Sequence, residues 1–89
     1  MKYRRKPIIV DVMKFYSDNE PDNKNMNEIV EWIKSNNVKA RHNGTNIFIG
    51  IDFGELIASC GDYIIKWGDG SITSRSSKVF EKEFEPIVD

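Results

Sequence analysis

Pro7-Ile8-Ile9-Val10-Asp11-Val12-Met13-Lys14-Phe15 is the stretch on which the fold class turns. β-Branched residues dominate it, and successive side chains of a strand point to opposite faces. Ile8, Val10 and Val12 then share one face, while Ile9, Met13 and Phe15 share the other. Apolar side chains on both faces predict an interior strand that needs cover on both sides. Pro7 has no amide to donate and suits the strand's first position. Asp11 interrupts the apolar run. It reads either as a carboxylate paired with a basic neighbour such as Arg5 or as a general base, and structural pairs are the commoner of the two.

The rest of the chain supplies the cover. Ser17 to Lys24 is polar and contains a proline, and Met26, Ile29, Val30 and Ile33 then follow helical spacing. A helix is expected over about residues 26–36, with Asn25 as N-cap, Glu28 completing a capping-box-like pair, and Asn36-Asn37 ending it in left-handed geometry. Trp32 falls at the edge of its apolar stripe. Asn43-Gly44, between Val38–His42 and Thr45–Ile49, predicts a hairpin. A short run follows at Glu55 to Ser59, then a turn at Cys60-Gly61-Asp62.

Tyr63 to Trp67 is the next strand, turned by Gly68-Asp69-Gly70 into Ser71 to Ser74. A helical turn at Val79-Phe80-Glu81 and a last strand through Phe84 close the chain, and Pro86 stops regular pairing. The pattern predicts a single domain over residues 1–89 of the α+β class, a small bent antiparallel sheet of five or six short strands with one main helix.

A chain this short buries only about 60–65% of the surface its unfolded form exposes, so no deep private pocket is expected. Apolar residues make up 39% and charged residues 30%, which suits a soluble globular domain. The formal charge of −1 argues against a general nucleic-acid binder that neutralises many phosphates. Lys2, Arg4, Arg5 and Lys6 crowd the start and Glu81, Glu83, Glu85 and Asp89 the end, a distribution that neutralises itself if the two ends lie in neighbouring strands. Cys60 and His42 are the only residues of their kinds, so no intrachain disulfide and no Cys/His metal set can form. The single free thiol fits a reducing cytosol. No apolar run approaches the roughly 20 residues of a membrane-spanning helix.

No motif for a nucleophile elbow, a zinc-protease helix or a phosphate loop is present. Cys60 and His42 read as turn and hairpin residues. Binding finds more support. Ser71-Ile72-Thr73-Ser74-Arg75-Ser76-Ser77 places five hydroxyls and a guanidinium directly after a tight turn, and such groups suit a phosphate. Trp67 can stack on a base beside them. The same residues also read as an edge strand running into a loop, with Ser76 or Ser77 capping the next turn, whose free amides also attract anions. Tyr3-Arg4-Arg5-Lys6 offers a second cationic wall or a solvated arm.

The ends of the chain carry a resemblance. Met1-Lys2-Tyr3-Arg4-Arg5-Lys6-Pro7 followed by Ile8-Ile9-Val10 resembles the start of a widespread family of small bacteriophage proteins, which typically begin M-K-Y-R-K-K-P before a Val-rich strand. The likeness resumes at Gly61-Asp62-Tyr63-Ile64-Ile65-Lys66, where the family has G-D-W-I-I-K-G, and at Phe80-Glu81 through Phe84-Glu85-Pro86, where it ends in F-E-x-x-Y-E-P. The middle matches only in a helix with an E-W pair, here Glu31-Trp32. Cys60 replaces a usual proline, and Ile72 to Ser77 replace a segment normally rich in aromatic residues, proline and cysteine.

Some members of that family look like anti-CBASS sponges, oligomers that bind the cyclic dinucleotide signal of a bacterial immune system without cleaving it. The resemblance implies a phage protein acting in the cytoplasm of the infected bacterial host, with no cofactor and no catalysis. The implied ligand is a cyclic dinucleotide such as cyclic GMP-AMP, held by a homo-oligomer, dimer or tetramer, with the pocket between subunits. Arg4, Arg75, Thr73, Ser74 and Ser76 are then expected on phosphate, and Trp67 or Tyr3 on a base. A second class of reading is a phage accessory protein that binds a host protein through its acidic C-terminal face or an exposed edge strand. A third is a small hydrolase acting through Asp11 and His42.

Overall fold

The computed structural model describes residues 2–5, 8–17 and 21–86. Pro7 and Lys6 lie outside the described residues, as do the side chains of Tyr3, Arg4 and Arg5. The fold is α+β. Its strands are β1 (Lys2–Arg5), β2 (Ile8–Lys14), β3 (Ala40–His42), β4 (Ile47–Ile51), β5 (Gly54–Ala58), β6 (Tyr63–Lys66), β7 (Ile72–Arg75) and β8 (Glu85–Pro86), with helices α1 (Lys24–Ser35) and α2 (Ser77–Glu83).

The expected single sheet is two antiparallel sheets, one of order β7-β6-β2-β1-β8 and one of order β3-β4-β5. β5 and β7, an edge strand from each sheet, meet at a seam where they touch without pairing. The split follows from β6. Tyr63, Ile64 and Ile65 are all buried, so this strand must be covered on both faces. On one side Tyr63 and Ile65 pack with Val10, Val12, Phe80 and Phe84, the last two brought by α2 and its C-cap. On the other, Ile64 and Ile72 meet Phe15, the apolar stripe of α1 and the inner face of the small sheet through Ile47, Ile49 and Ala58.

β2 is interior, as its two apolar faces require, lying between β1 and β6. The charged ends do meet in neighbouring strands: β1 pairs β8, with Arg4 opposite Glu85 and Tyr3 opposite Pro86.

The helix stripe is as read, with Met26, Ile29, Val30 and Ile33 buried and Trp32 half-buried at its edge. Each such burial contributes about 1.5–3 kcal/mol, which outweighs intrinsic helix propensity. The start of the helix differs. Asn23 occupies the cap position in left-handed geometry without a side-chain cap bond. Asn25 lies inside the first turn, 1% exposed, and reaches out of the helix: its Oδ1 accepts from the Tyr16 and Ser17 amides at 2.9 and 3.2 Å, and its Nδ2 donates to the Lys14 carbonyl at 3.3 Å. A capping residue and a buried cross-tie are the same letter in sequence.

The Asn43-Gly44 hairpin forms, but with a four-residue connection between β3 and β4. The Asn43 Oδ1 accepts from the Thr45 and Asn46 amides at 2.9 and 2.8 Å and closes the turn from its side chain.

Candidate anion-binding face

Register divides the hydroxyl-rich segment between two faces. β7 pairs β6 with Ile65 opposite Thr73, Ile64 opposite Ser74 and Tyr63 opposite Arg75. Thr73 and Arg75 therefore stand on the face covered by α2, whereas Ser74 stands with Ile64 and Ile72 on the face toward α1. One strand cannot aim all of these groups at one ligand. Ser76 ends the strand as the N-cap of α2, its Oγ accepting from the Val79 amide at 3.4 Å. Only two turns of helix follow.

The preceding turn is set by Asp69, which accepts from the Ser71 amide at 2.9 Å and from the Ser71 hydroxyl at 2.7 Å. These bonds hold the Asp69 carboxyl below its usual range, the amide contributing most. A depressed folded-state value means that the stabilisation is present above the ordinary carboxylate range and is lost as pH falls through the lowered value.

Trp67 ends the same face. Its ring is half-buried, packs edge-on to Phe84 at 5.9 Å, and donates from Nε1 to the Thr73 Oγ1 at 2.8 Å. Tyr63 is core rather than surface, 6% exposed and stacked on Phe80 at 4.0 Å. Because the Thr73 oxygen accepts from the indole, its own proton stays free to donate outward.

Lys14 was not among the residues that sequence reasoning singled out. It lies opposite Tyr63 on the β2 side, its Nζ 5.2 Å from the ring centroid, while Arg75 lies opposite Tyr63 on the β7 side. The row Lys14, Tyr63, Arg75 crosses three strands on one face, with the two cations roughly 10 Å apart at the backbone. Among the described residues neither cation has a carboxylate partner; Arg75 donates from Nη1 only to the Ser74 carbonyl, at 3.0 Å. The signal was available in sequence, since a strand that alternates Ile8, Val10, Val12 ends that face with Lys14.

The N-terminal segment is not next to this row. β1 lies three positions from β7 in the sheet, roughly 14 Å at the backbone. Asp11 lies 4.0 Å from the Lys2 Nζ and opposite Lys66, so its basic neighbours are these lysines, while Arg5 pairs with Ile8. His42 is in the other sheet. The Gly44 amide donates to its Nδ1 at 3.1 Å, which assigns the ring proton to Nε2, 2.7 Å from Asn27 Oδ1. Nδ1 is thus engaged within the hairpin and Nε2 ties the hairpin to α1, and Asp11 and His42 stand on separate sheets. Cys60 is exposed.

Concavities among the described residues include small ones. A cleft of about 230 Å³ at the seam is lined by Val38, Gly50, Ile51, Asp52, Ser71 and Ile72. It adjoins one of about 370 Å³ that shares its Val38 and Gly50–Asp52 wall. Pockets that enclose drug-sized ligands run to about 300–1,000 Å³, and two linked nucleotides need the larger part of that range. No described helix is long and apolar enough to cross a membrane. Comparison with protein-family models, with curated proteins and with solved structures gave no match.

Proposed function

We propose that this protein sequesters a cyclic dinucleotide without cleaving it, as a phage-encoded homo-oligomer in the infected bacterial cell. The observation that carries the reading is the pair of cations, Lys14 and Arg75, set on one face either side of Tyr63 without carboxylate partners among the described residues. Two fixed positive groups suit two linked phosphates, and charge-assisted bonds are the strong ones. The hydroxyls of Thr73 and Ser76 each accept from the protein and retain a proton for a phosphate oxygen. Trp67, held by Thr73 and Phe84, offers a fixed ring edge for a base. Ser74 drops out of this set because it faces the other way, and β1, which carries Tyr3 and Arg4, lies three positions away in the sheet.

Size supports sharing the ligand between copies. The clefts described above hold about 230 and 370 Å³, and a ligand with its own near two-fold symmetry is most simply held across a two-fold axis.

Calorimetry with a panel of cyclic dinucleotides tests the reading. Arg75→Ala and Lys14→Ala are each expected to weaken binding about 10- to 100-fold, the loss of one charged hydrogen bond of roughly 1.5–3 kcal/mol, while leaving the thermal midpoint nearly unchanged. Bound nucleotide should be recovered intact after long incubation. Absence of heat and of thermal stabilisation with every member of the panel would sink the proposal, and so would cleavage.

A further inference from the structure

Phe53 is fully exposed, at 101%, on the two-residue turn Asp52-Phe53 that joins β4 to β5, and its neighbour Ile51 is 45% exposed. Single exposed apolar residues are ordinary on a protein surface. This one stands beside a hole. The seam cleft, lined by Val38, Gly50, Ile51 and Ile72 with Asp52 and Ser71 at its polar end, shares Ile51 and Asp52 with the very turn that carries the ring. An apolar cavity of about 150 Å³ suffices to hold benzene, so about 230 Å³ admits a phenyl group. The wall is fixed beforehand, because the Gly50 amide donates to the Lys39 carbonyl at 2.7 Å and holds the segment after α1 against β4.

Charge points the same way. Lys39 lines the adjoining part of the trough and Asp52 the turn, both exposed, and neither has an ion-pair partner among the described residues.

We propose that two copies of this chain dimerise through this end of the molecule, Phe53 of each entering the seam cleft of the other and Asp52 of each pairing with Lys39 of the other. A knob and a hole side by side on one patch are the requirement of an isologous contact: one two-fold axis between them satisfies both at once. Two phenyl rings of about 150–250 Å² each, with as much wall covered, bury roughly 600–1,000 Å² in all, at or below the lower end for a specific dimer, so the association is weak. The contact is separate from the face that carries Lys14 and Arg75, and does not depend on what that face binds.

Sedimentation of the wild-type protein over a range of concentrations, with and without cyclic dinucleotide, is the test. A concentration-dependent dimer is expected in both conditions, and Phe53→Ala should weaken it roughly a hundredfold, since two rings are lost per dimer. Charge reversal gives the decisive arm. Lys39→Asp and Asp52→Lys should each be monomeric alone, and an equimolar mixture of the two should form a heterodimer, because both cross-pairs are then opposite in sign. A wild-type protein that stays monomeric to millimolar concentration, a dimer indifferent to Phe53→Ala, or a mixture that fails to associate overturns the interface. Nucleotide binding by an oligomer that is indifferent to Phe53→Ala removes this interface and leaves sequestration standing; a Phe53-dependent dimer with no affinity for any nucleotide does the reverse.

Discussion

Phe80→Ala is expected to lower the unfolding free energy by about 4 kcal/mol, the usual cost of emptying a buried aromatic site. Phe80 is 1% exposed and lies between two rings, 4.0 Å from Tyr63 and 4.7 Å from Phe84, both nearly parallel to it. It is the one buried residue of α2, so its loss removes the helix's anchor as well as a side chain. A domain of this length has of order 5–10 kcal/mol of stability, and in this size range each kcal/mol moves the midpoint by about 4–8 °C. Thermal unfolding should therefore begin at least 15 °C or so lower. Val79, exposed on the same helix, supplies the control: Val79→Ala should change stability by less than about 0.5 kcal/mol. A Phe80→Ala midpoint within a few degrees of wild type would mean that α2 is not held by the stack.

Asn25→Leu is the second substitution with a large expected effect, about 2–4 kcal/mol of destabilisation. Leucine keeps the branched shape and is somewhat larger, so the loss reports the hydrogen bonds and overpacking, not a cavity. The asparagine, itself buried, accepts from two backbone amides and donates to one carbonyl, all on the stretch from Lys14 to Ser17, and leaving polar atoms of this tie without partners costs roughly 1–3 kcal/mol each. Denaturant unfolding measures the total. Hydrogen exchange locates it, with the Tyr16 and Ser17 amides expected to lose protection first. Equal stability of Asn25→Leu and wild type would show that this tie is dispensable.

These two residues also mark the limit of what a linear reading could find. Phe80 was legible as part of a short helical turn, but its place between Tyr63 and Phe84 depends on α2 folding back over β6, a non-local contact. Asn25 was read as a cap because asparagine is favoured there; nothing local distinguishes a cap from a buried amide reaching across to another element. Periodicity served where packing is one-sided and regular, as along α1, and where two-sided cover is written into alternation, as in β2. It failed at the seam, since whether β7 pairs with β5 is settled by which face of Ile72 and Ile64 must be covered. The candidate site was half legible. Strand alternation already separates Ser74 from Thr73 and Arg75 and puts Lys14 on the end of the Val10 and Val12 face. Composition alone groups the hydroxyl-rich segment as a single cluster. The separation of β1 from β7 by two intervening strands needed the sheet order.

The order of strands also has a consequence for how the chain reaches its fold. The small sheet is a meander, β3 to β4 to β5, each strand pairing with the next in line. In the large sheet β2 must find β6 and β1 must find β8, partners separated by half the chain or nearly all of it. Closing long loops before any contact rewards them is slow, so local pairs form first. During synthesis, β1 and β2 leave the ribosome early with their apolar side chains and have no sheet partner but each other until the last third of the chain appears. The small sheet, by contrast, needs only strands that follow one another directly.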